Sequence, residues 1–167
     1  GLSWTDAYTN LRQAISEAAS VASAGGPVQV WVKAGTYRPA TNGDRSQSFT
    51  LRNHVEVYGG FPAGLPEPSF EQRDNVAHET ILSGDLLSND VPNDAATLAD
   101  NSYHVVYSAS TDPSAKLDGF AITGGNADGA ASPDNSGGGM YNFAGSPVLR
   151  NLHFKQNSAR YAGGGML

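Results

Sequence analysis

The stretch KLDGFAITGGNA (residues 116–127) returns as VLRNLHFKQNSA (148–159), 32 positions later, and GGGM at 137–140 returns at 163–166, 26 positions later. The two spacings differ by six, and the surplus lies in the Gly/Ala/Ser/Asp-rich run 128–136 that separates the first pair of motifs. Self-similarity at a period of roughly 20–50 residues marks a solenoid, in which each unit buries its apolar face only by stacking on its neighbours. Within the repeat, Leu117, Phe120 and Ile122 correspond to Leu149, Leu152 and Phe154. These residues read as the inward positions of the strands, ladders that stack one unit on the next.

Upstream of the repeats, Trp4, Ala7, Tyr8, Leu11, Ala14, Ile15, Ala18 and Ala22 recur at steps of three and four, which predicts an amphipathic helix. Ser3, Thr5 and Asp6 are its candidate N-caps, and Gly25, Gly26 and Pro27 its stop signal. VQVWV (28–32) then reads as a strand, and Ala34–Tyr37 as a turn into another. Further strand-like runs stand at 48–51, 55–58, 80–82, 104–107, 117–123, 139–141, 148–154 and 165–167. A lone helix ahead of many strands has a physical role: it covers the apolar interior that the first coil of a solenoid leaves open. Asn53, Asn126, Asn142, Asn151 and Asn157 fall at bends, where an amide can bond backbone one coil away. The GGGM glycines allow sharp turns or a close approach of neighbouring chains.

Composition limits the function classes. The chain of 167 residues carries 10 Lys and Arg against 16 Asp and Glu, a net charge of −6, and has 20 Gly and no Cys. That acidic balance argues against a nucleic-acid partner, whose phosphates require a basic surface. No apolar run nears the roughly 20 residues of a membrane span. Absence of cysteine suits an exported protein that avoids thiol chemistry, and a cytosolic protein can lack cysteine as well.

The pairing of GGGM with FKQN (154–157) resembles the GGA[ILV] and FxxN repeats of the chlamydial polymorphic outer-membrane proteins and related bacterial surface proteins. The leading segments WTDAYTNLRQAI, VWVKAGTYRP, FTLRNHVEVYGGF, TILSGD, NSYHVV and LDGFAITGG are similar to the start of secreted bacterial right-handed parallel β-helix proteins of the pectin-lyase-like superfamily. The resemblance implies an all-β solenoid: a right-handed parallel β-helix, capped by the amphipathic helix (cap 1–37, three to four coils over 38–167), in a single domain that is a fragment of a longer solenoid. It further implies an exported, cell-surface protein. The departures are Gly139, where the family motif has Ala and where flexibility is expected in place of a methyl contact, and Ile122-Thr-Gly-Gly125, which takes the place of a second FxxN.

Two sets of candidate site residues follow. Arg150 and His153 alternate with inward Leu149, Leu152 and Phe154, and Lys116 and Asp118 occupy the equivalent strand one repeat earlier. This outer face suits an acidic glycan, and cross-strand charge pairing accounts for it equally. Tyr141 and Tyr161, each beside a GGGM, are candidates for stacking on a sugar. The second set, Asp85, Asn89, Asp90, Asn93, Asp94, Asp100 and Asn101, crowds the long connection 83–101, and its oxygens suit a hard cation such as Ca²⁺. The same side chains can instead cap the turns of their own loop. A poorer acidic group is Asp128, Asp134 and Asn135. The other long connection, 59–79, carries Phe61, Leu65 and Phe70, which are expected to pin it to the body.

The functional expectation is a non-catalytic structural or adhesive module that presents loops to a cell-surface glycan or host protein. The alternative is the leading part of a polysaccharide lyase or glycoside hydrolase acting on acidic glycans. End-to-end or side-by-side self-association is a third possibility, because open strand edges invite pairing.

Overall fold

The structure is a computed structural model that describes residues 3–22, 26–92 and 94–167. It is mostly β, and every strand pairing among the described residues is parallel. One α-helix, α1 (Leu11–Ala22), precedes β1 (Val28–Lys33), β2 (Gly35–Tyr37), β3 (Phe49–Thr50), β4 (Val55–Phe61), β5 (Thr80–Ser83) and β6 (Val106–Ala109). The remaining strands are β7 (Lys116–Thr123), β8 (Asn126–Ala127), β9 (Met140–Phe143), β10 (Val148–Lys155) and β11 (Ser158–Ala159). Three sheets result. The largest has the order β1-β4-β7-β5-β2 with β10 also on β7; the others are β3-β6-β9 and β8-β11.

The repeats of the sequence are the pairing offsets of the backbone. Val148 pairs with Lys116, Leu149 with Leu117 and Ser158 with Asn126, each 32 residues apart. Met140 pairs with Met166 and Ser136 with Ala162, each 26 apart. The six-residue difference is absorbed in the irregular run before Ser136. Asn157 bonds the corresponding backbone position one repeat earlier: its Oδ1 accepts from Gly125 N at 2.9 Å, and its Nδ2 donates to Ile122 O at 2.8 Å.

The long connection after β4 is an excursion out of one strand line. β4 pairs with the first half of β7 and β5 with the second half, so both lie along one continuous neighbour, and the intervening residues loop outward. Residues with left-handed backbone recur at the break: Gly60 and Gly119 both have φ +86°, and Asn151 has φ +48°. Of the three, Asn bears the left-handed region at the highest cost, since glycine lacks the Cβ that disfavours it.

Leu117, Phe120 and Ile122 are buried with Val57, Leu82, Val106 and Met140. Leu149, Leu152 and Phe154 are half-buried and pack against them. The α1 face formed by Leu11, Ile15, Ala18 and Ala22 closes the same core against β1, β3 and β4. Each aliphatic side chain taken from water in this way contributes about 1.5–3 kcal/mol.

Three expectations require correction. The helix begins at Leu11, and its N-cap is Asn10, whose Oδ1 accepts from Gln13 N at 3.1 Å, in place of Ser3, Thr5 or Asp6. The preceding residues follow a different partner: Trp4 N donates to Pro66 O at 3.3 Å, and the Trp4 ring meets Phe61 edge-on. Of the proposed stop signal, Gly25 lies outside the described residues, and Gly26 has φ +111°. Residues 165–167 form a single bridge at Met166, not a strand. Gly139, finally, provides space rather than flexibility. A Cβ there would stand 2.4 Å from Gly165 O and 2.8 Å from both Asn157 Nδ2 and Phe154 Cδ1.

Gly139→Ala is therefore expected to destabilise the fold by about 1–3 kcal/mol, the usual cost of overpacking a filled site. Gly64→Ala, where an added Cβ meets nothing within 4 Å, should change stability by less than about 0.5 kcal/mol. Urea unfolding of the two variants compares them directly, and equal midpoints would refute the close-approach role.

Candidate functional site

The outer face of β4, β7 and β10 carries the first set of candidate residues. Register places Glu56 beside Lys116, and Tyr58 beside Asp118 and then Arg150. The structure thus brings Lys116, Asp118, Arg150 and His153 onto one sheet, with left-handed Gly119 and Asn151 resetting the two-residue alternation midway along β7 and β10. Their availability differs sharply. Lys116 Nζ donates to Glu56 Oε1 at 2.6 Å and to the Tyr58 hydroxyl at 3.1 Å. The hydrogen bond from Lys116 holds the Glu56 carboxyl below the usual carboxylate range, and the same bond pushes Lys116 up.

Asp118 is engaged by a residue that sequence reasoning missed. Arg73, from the excursion between β4 and β5, donates through Nη2 to Asp118 Oδ1 at 2.7 Å and to Asp118 O at 3.0 Å. Arg73 Nε donates to Gly59 O at 2.5 Å, and its guanidinium lies against the Tyr58 and Phe70 rings. Asn151 Nδ2 donates to the same Asp118 oxygen at 2.9 Å. Around this clamp Trp31 stacks on Phe61 at 4.7 Å and contacts Phe70, so Trp31 is an outer-face residue and not part of the internal core. Phe61 is fully buried and Phe70 packs on it, while Leu65 stays exposed. A lone Arg among Phe and Pro was the only signal available for Arg73.

Arg150 and His153 are exposed on β10, and neither has a polar partner among the described residues. Lys155, on the same strand, reaches Glu79 at 3.0 Å. Tyr141 lies on a different sheet and is 9% exposed, stacked on Tyr107 at 5.8 Å and packed on His104, so its ring is covered. Tyr161 is 85% exposed. Tyr141 is therefore not an outer-face aromatic open to a sugar, whereas the Tyr161 ring is exposed.

His104 is buried under the run 128–136. Its Nδ1–H donates to Gly137 O at 3.0 Å, which leaves Nε2 as a buried acceptor with no partner, 3.8 Å from Asp134 Oδ1. Burial lowers its pKa from the ordinary 6.5 against the opposing pull of Gly137 O and Asp134. Asp128 pairs with Arg45 at 2.7 Å, and Asn135 Oδ1 accepts from Ser136 Oγ. The poorer acidic group thus ties its loop to Arg45 through Asp128 and braces the loop itself through Asn135.

In the acidic connection, most side chains cap turns. Asp85 accepts from Asn89 N and Asp90 N, Asp100 from Leu87 N, and Asp94 from Ala96 N at the start of the 3₁₀ turn Ala95–Asp100. Asn89 takes part through its backbone, and Asn93 lies outside the described residues. Asp90 differs: its Oδ2 accepts from Asn101 Nδ2 at 3.0 Å, while its Oδ1 is buried without a partner. Burial pushes the Asp90 carboxyl up, and the charges of Asp85 and Asp100 add to the shift. Among the described residues no three His, Cys, Asp or Glu side chains converge as a ready-made metal cage.

An open groove of about 680 Å³ runs between α1 and β1, lined by Trp4, Tyr8, Leu11, Val30 and Tyr37 among others. No described helix is long and apolar enough to cross a membrane. Comparison with known proteins found no matching family model, no matching curated protein and no matching solved structure.

Two measurements test this electrostatic description. The Arg73 and Asp118 side chains are only 12% and 9% exposed, so Arg73→Met leaves a buried charge uncompensated and should cost about 3–5 kcal/mol. The double variant Arg73→Met/Asp118→Asn should cost less than the single one, and a double-mutant cycle without coupling would contradict the clamp. For His104, the unfolded chain takes up a proton near pH 6.5 that the folded chain resists, so stability present above that pH is lost as pH falls below it. Unfolding midpoints at pH 7.5 and 5.5 should fall further for the wild type than for His104→Gln.

Proposed function

We propose that this chain is the capped end of a right-handed parallel β-helix, and that it serves as a non-catalytic structural and adhesive module of an exported bacterial surface protein. The observation that carries the reading is the in-register parallel stacking at the 32-residue offset. Stacked rungs of this kind make a stiff rod, since each unit gains its stability from its neighbours. A further support is the fate of the ionisable groups. Glu56 with Lys116, Arg73 with Asp118 and Lys155 with Glu79 bind one another across rungs and loops, a use of charge that rigidifies a surface rather than preparing acid–base chemistry. Arg150 and His153 are the exposed polar groups of β10 that remain for contact with a partner. Their chemistry favours an acidic cell-surface glycan.

A catalytic reading draws on the same face: an exposed Arg150 stands beside Asp118, a cation next to a carboxylate of the kind that polysaccharide lyases use. Incubation with a panel of acidic glycans separates the two. The adhesive module retains such glycans on a binding array without forming unsaturated or reducing products, and loses at least about tenfold in affinity, roughly 1.4 kcal/mol, in Arg150→Ala/His153→Ala. Product formation that Arg150→Ala abolishes would establish the lyase reading instead.

A further inference from the structure

Among the acidic residues of the connection after β5, the pair Asp90 and Asn101 stands apart. Asp85, Asp94 and Asp100 all accept backbone N–H groups and so are accounted for as turn caps. Asn101 is completely buried, and its Nδ2 is committed to Asp90 Oδ2 at 3.0 Å. That one hydrogen bond leaves an oxygen on each side chain, Asp90 Oδ1 and Asn101 Oδ1, buried and without a donor. A buried acceptor with no partner costs about 1–3 kcal/mol, and more when it is charged.

The surroundings make the deficit worse. Asp85 and Asp100 bring two more negative charges near Asp90. None of Asp85, Asp90, Asp94 and Asp100 forms an ion pair among the described residues. The two nearby arginines bond backbone oxygens and leave those side-chain oxygens unanswered: Arg38 Nε donates to Asp85 O, and Arg45 Nε donates to Asn101 O while its charge is paired with Asp128. What Asp90 Oδ1 and Asn101 Oδ1 still lack is a donor or a cation of their own.

We propose that the buried, unpartnered oxygens of Asp90 and Asn101 form the core of a calcium site, with Asp85, Asp100 and loop carbonyls near it. An oxygen-only set of carboxylate, amide and carbonyl groups selects hard cations. The irregular loop favours Ca²⁺ over Mg²⁺, because Mg²⁺ demands near-ideal octahedral geometry and sheds its water reluctantly. With few carboxylates free of other duties, the affinity belongs in the millimolar class of extracellular modules.

Thermal unfolding with 10 mM CaCl₂, 10 mM MgCl₂ or chelator tests the site, since an ion bound only by the folded chain must raise its melting temperature. A site of millimolar affinity raises Tm by about 3–6 °C at that calcium concentration. The rise should be absent in Asp90→Asn and retained in Asp94→Asn, whose side chain only caps a turn. Calorimetric titration of the wild type with calcium covers the case in which Asp90→Asn does not fold, and an absence of binding heat there overturns the proposal. It is equally overturned by a wild-type Tm that calcium leaves unmoved, as when a buried water satisfies both oxygens. An equal rise with magnesium, or an undiminished rise in Asp90→Asn, does the same.

Discussion

The approach of one backbone to the next, with no space between them for a side chain, is the constraint on which the rest of this structure depends. Gly125, Gly138 and Gly139 lie so near the succeeding chain that an added carbon would fall at 1.9–2.4 Å from the carbonyls of Gly138, Ser158 and Gly165. That proximity allows the runs 136–142 and 162–167 to pair continuously through N–H to carbonyl bonds. It also holds Leu117, Phe120 and Ile122 under Leu149, Leu152 and Phe154, so that each apolar row covers the one before. Asn157 bonds across the same step. Were the glycines wider, the rows would separate, and the gaps would forfeit dispersion contacts throughout the interior.

The outer face follows from that spacing. Parallel pairing in register sets like positions beside like positions, so a charge on one strand finds its answer on the next strand or on a loop laid over it. Glu56 and Lys116 use the first solution. Asp118 uses the second, drawing Arg73 down from the excursion and, with it, Phe70 onto Trp31 and Tyr58. An apolar and ionic clasp thereby secures the loop to a sheet it interrupts. The loop's position is set by its contact with the strands.

The repeat was legible because identical turn residues and matching apolar rows recur at fixed distances, and those distances are the pairing offsets found in three dimensions. The inward ladders were legible for the same reason. The start of the helix was not, since Trp4 and Ala7 keep helical spacing while the chain there is held by Pro66 and Phe61, partners far along the sequence. Gly139 looked like a relaxed version of a family alanine, and only the proximity of Gly165 and Asn157 gives it its meaning. The sequence pattern put Lys116, Asp118, Arg150 and His153 on one outer face, although strict alternation would oppose Arg150 to His153 and left-handed Asn151 resets the phase between them. It could not distinguish the engaged pair from the exposed pair, because Arg73 and Glu56 arrive from other parts of the chain. Tyr141 and Tyr161 shared a motif but not a surface: the first is covered by His104 and Tyr107.

The unequal spacings of 32 and 26 residues have an implication for how such a chain can change. Nine residues occupy the run 128–136, where the next repeat has three, yet the strands on either side keep their partners in step. Growth or loss at that corner leaves the stacked interior undisturbed. Natural variation can therefore remodel the outer contour one corner at a time, altering what the surface meets while conserving the lattice beneath it.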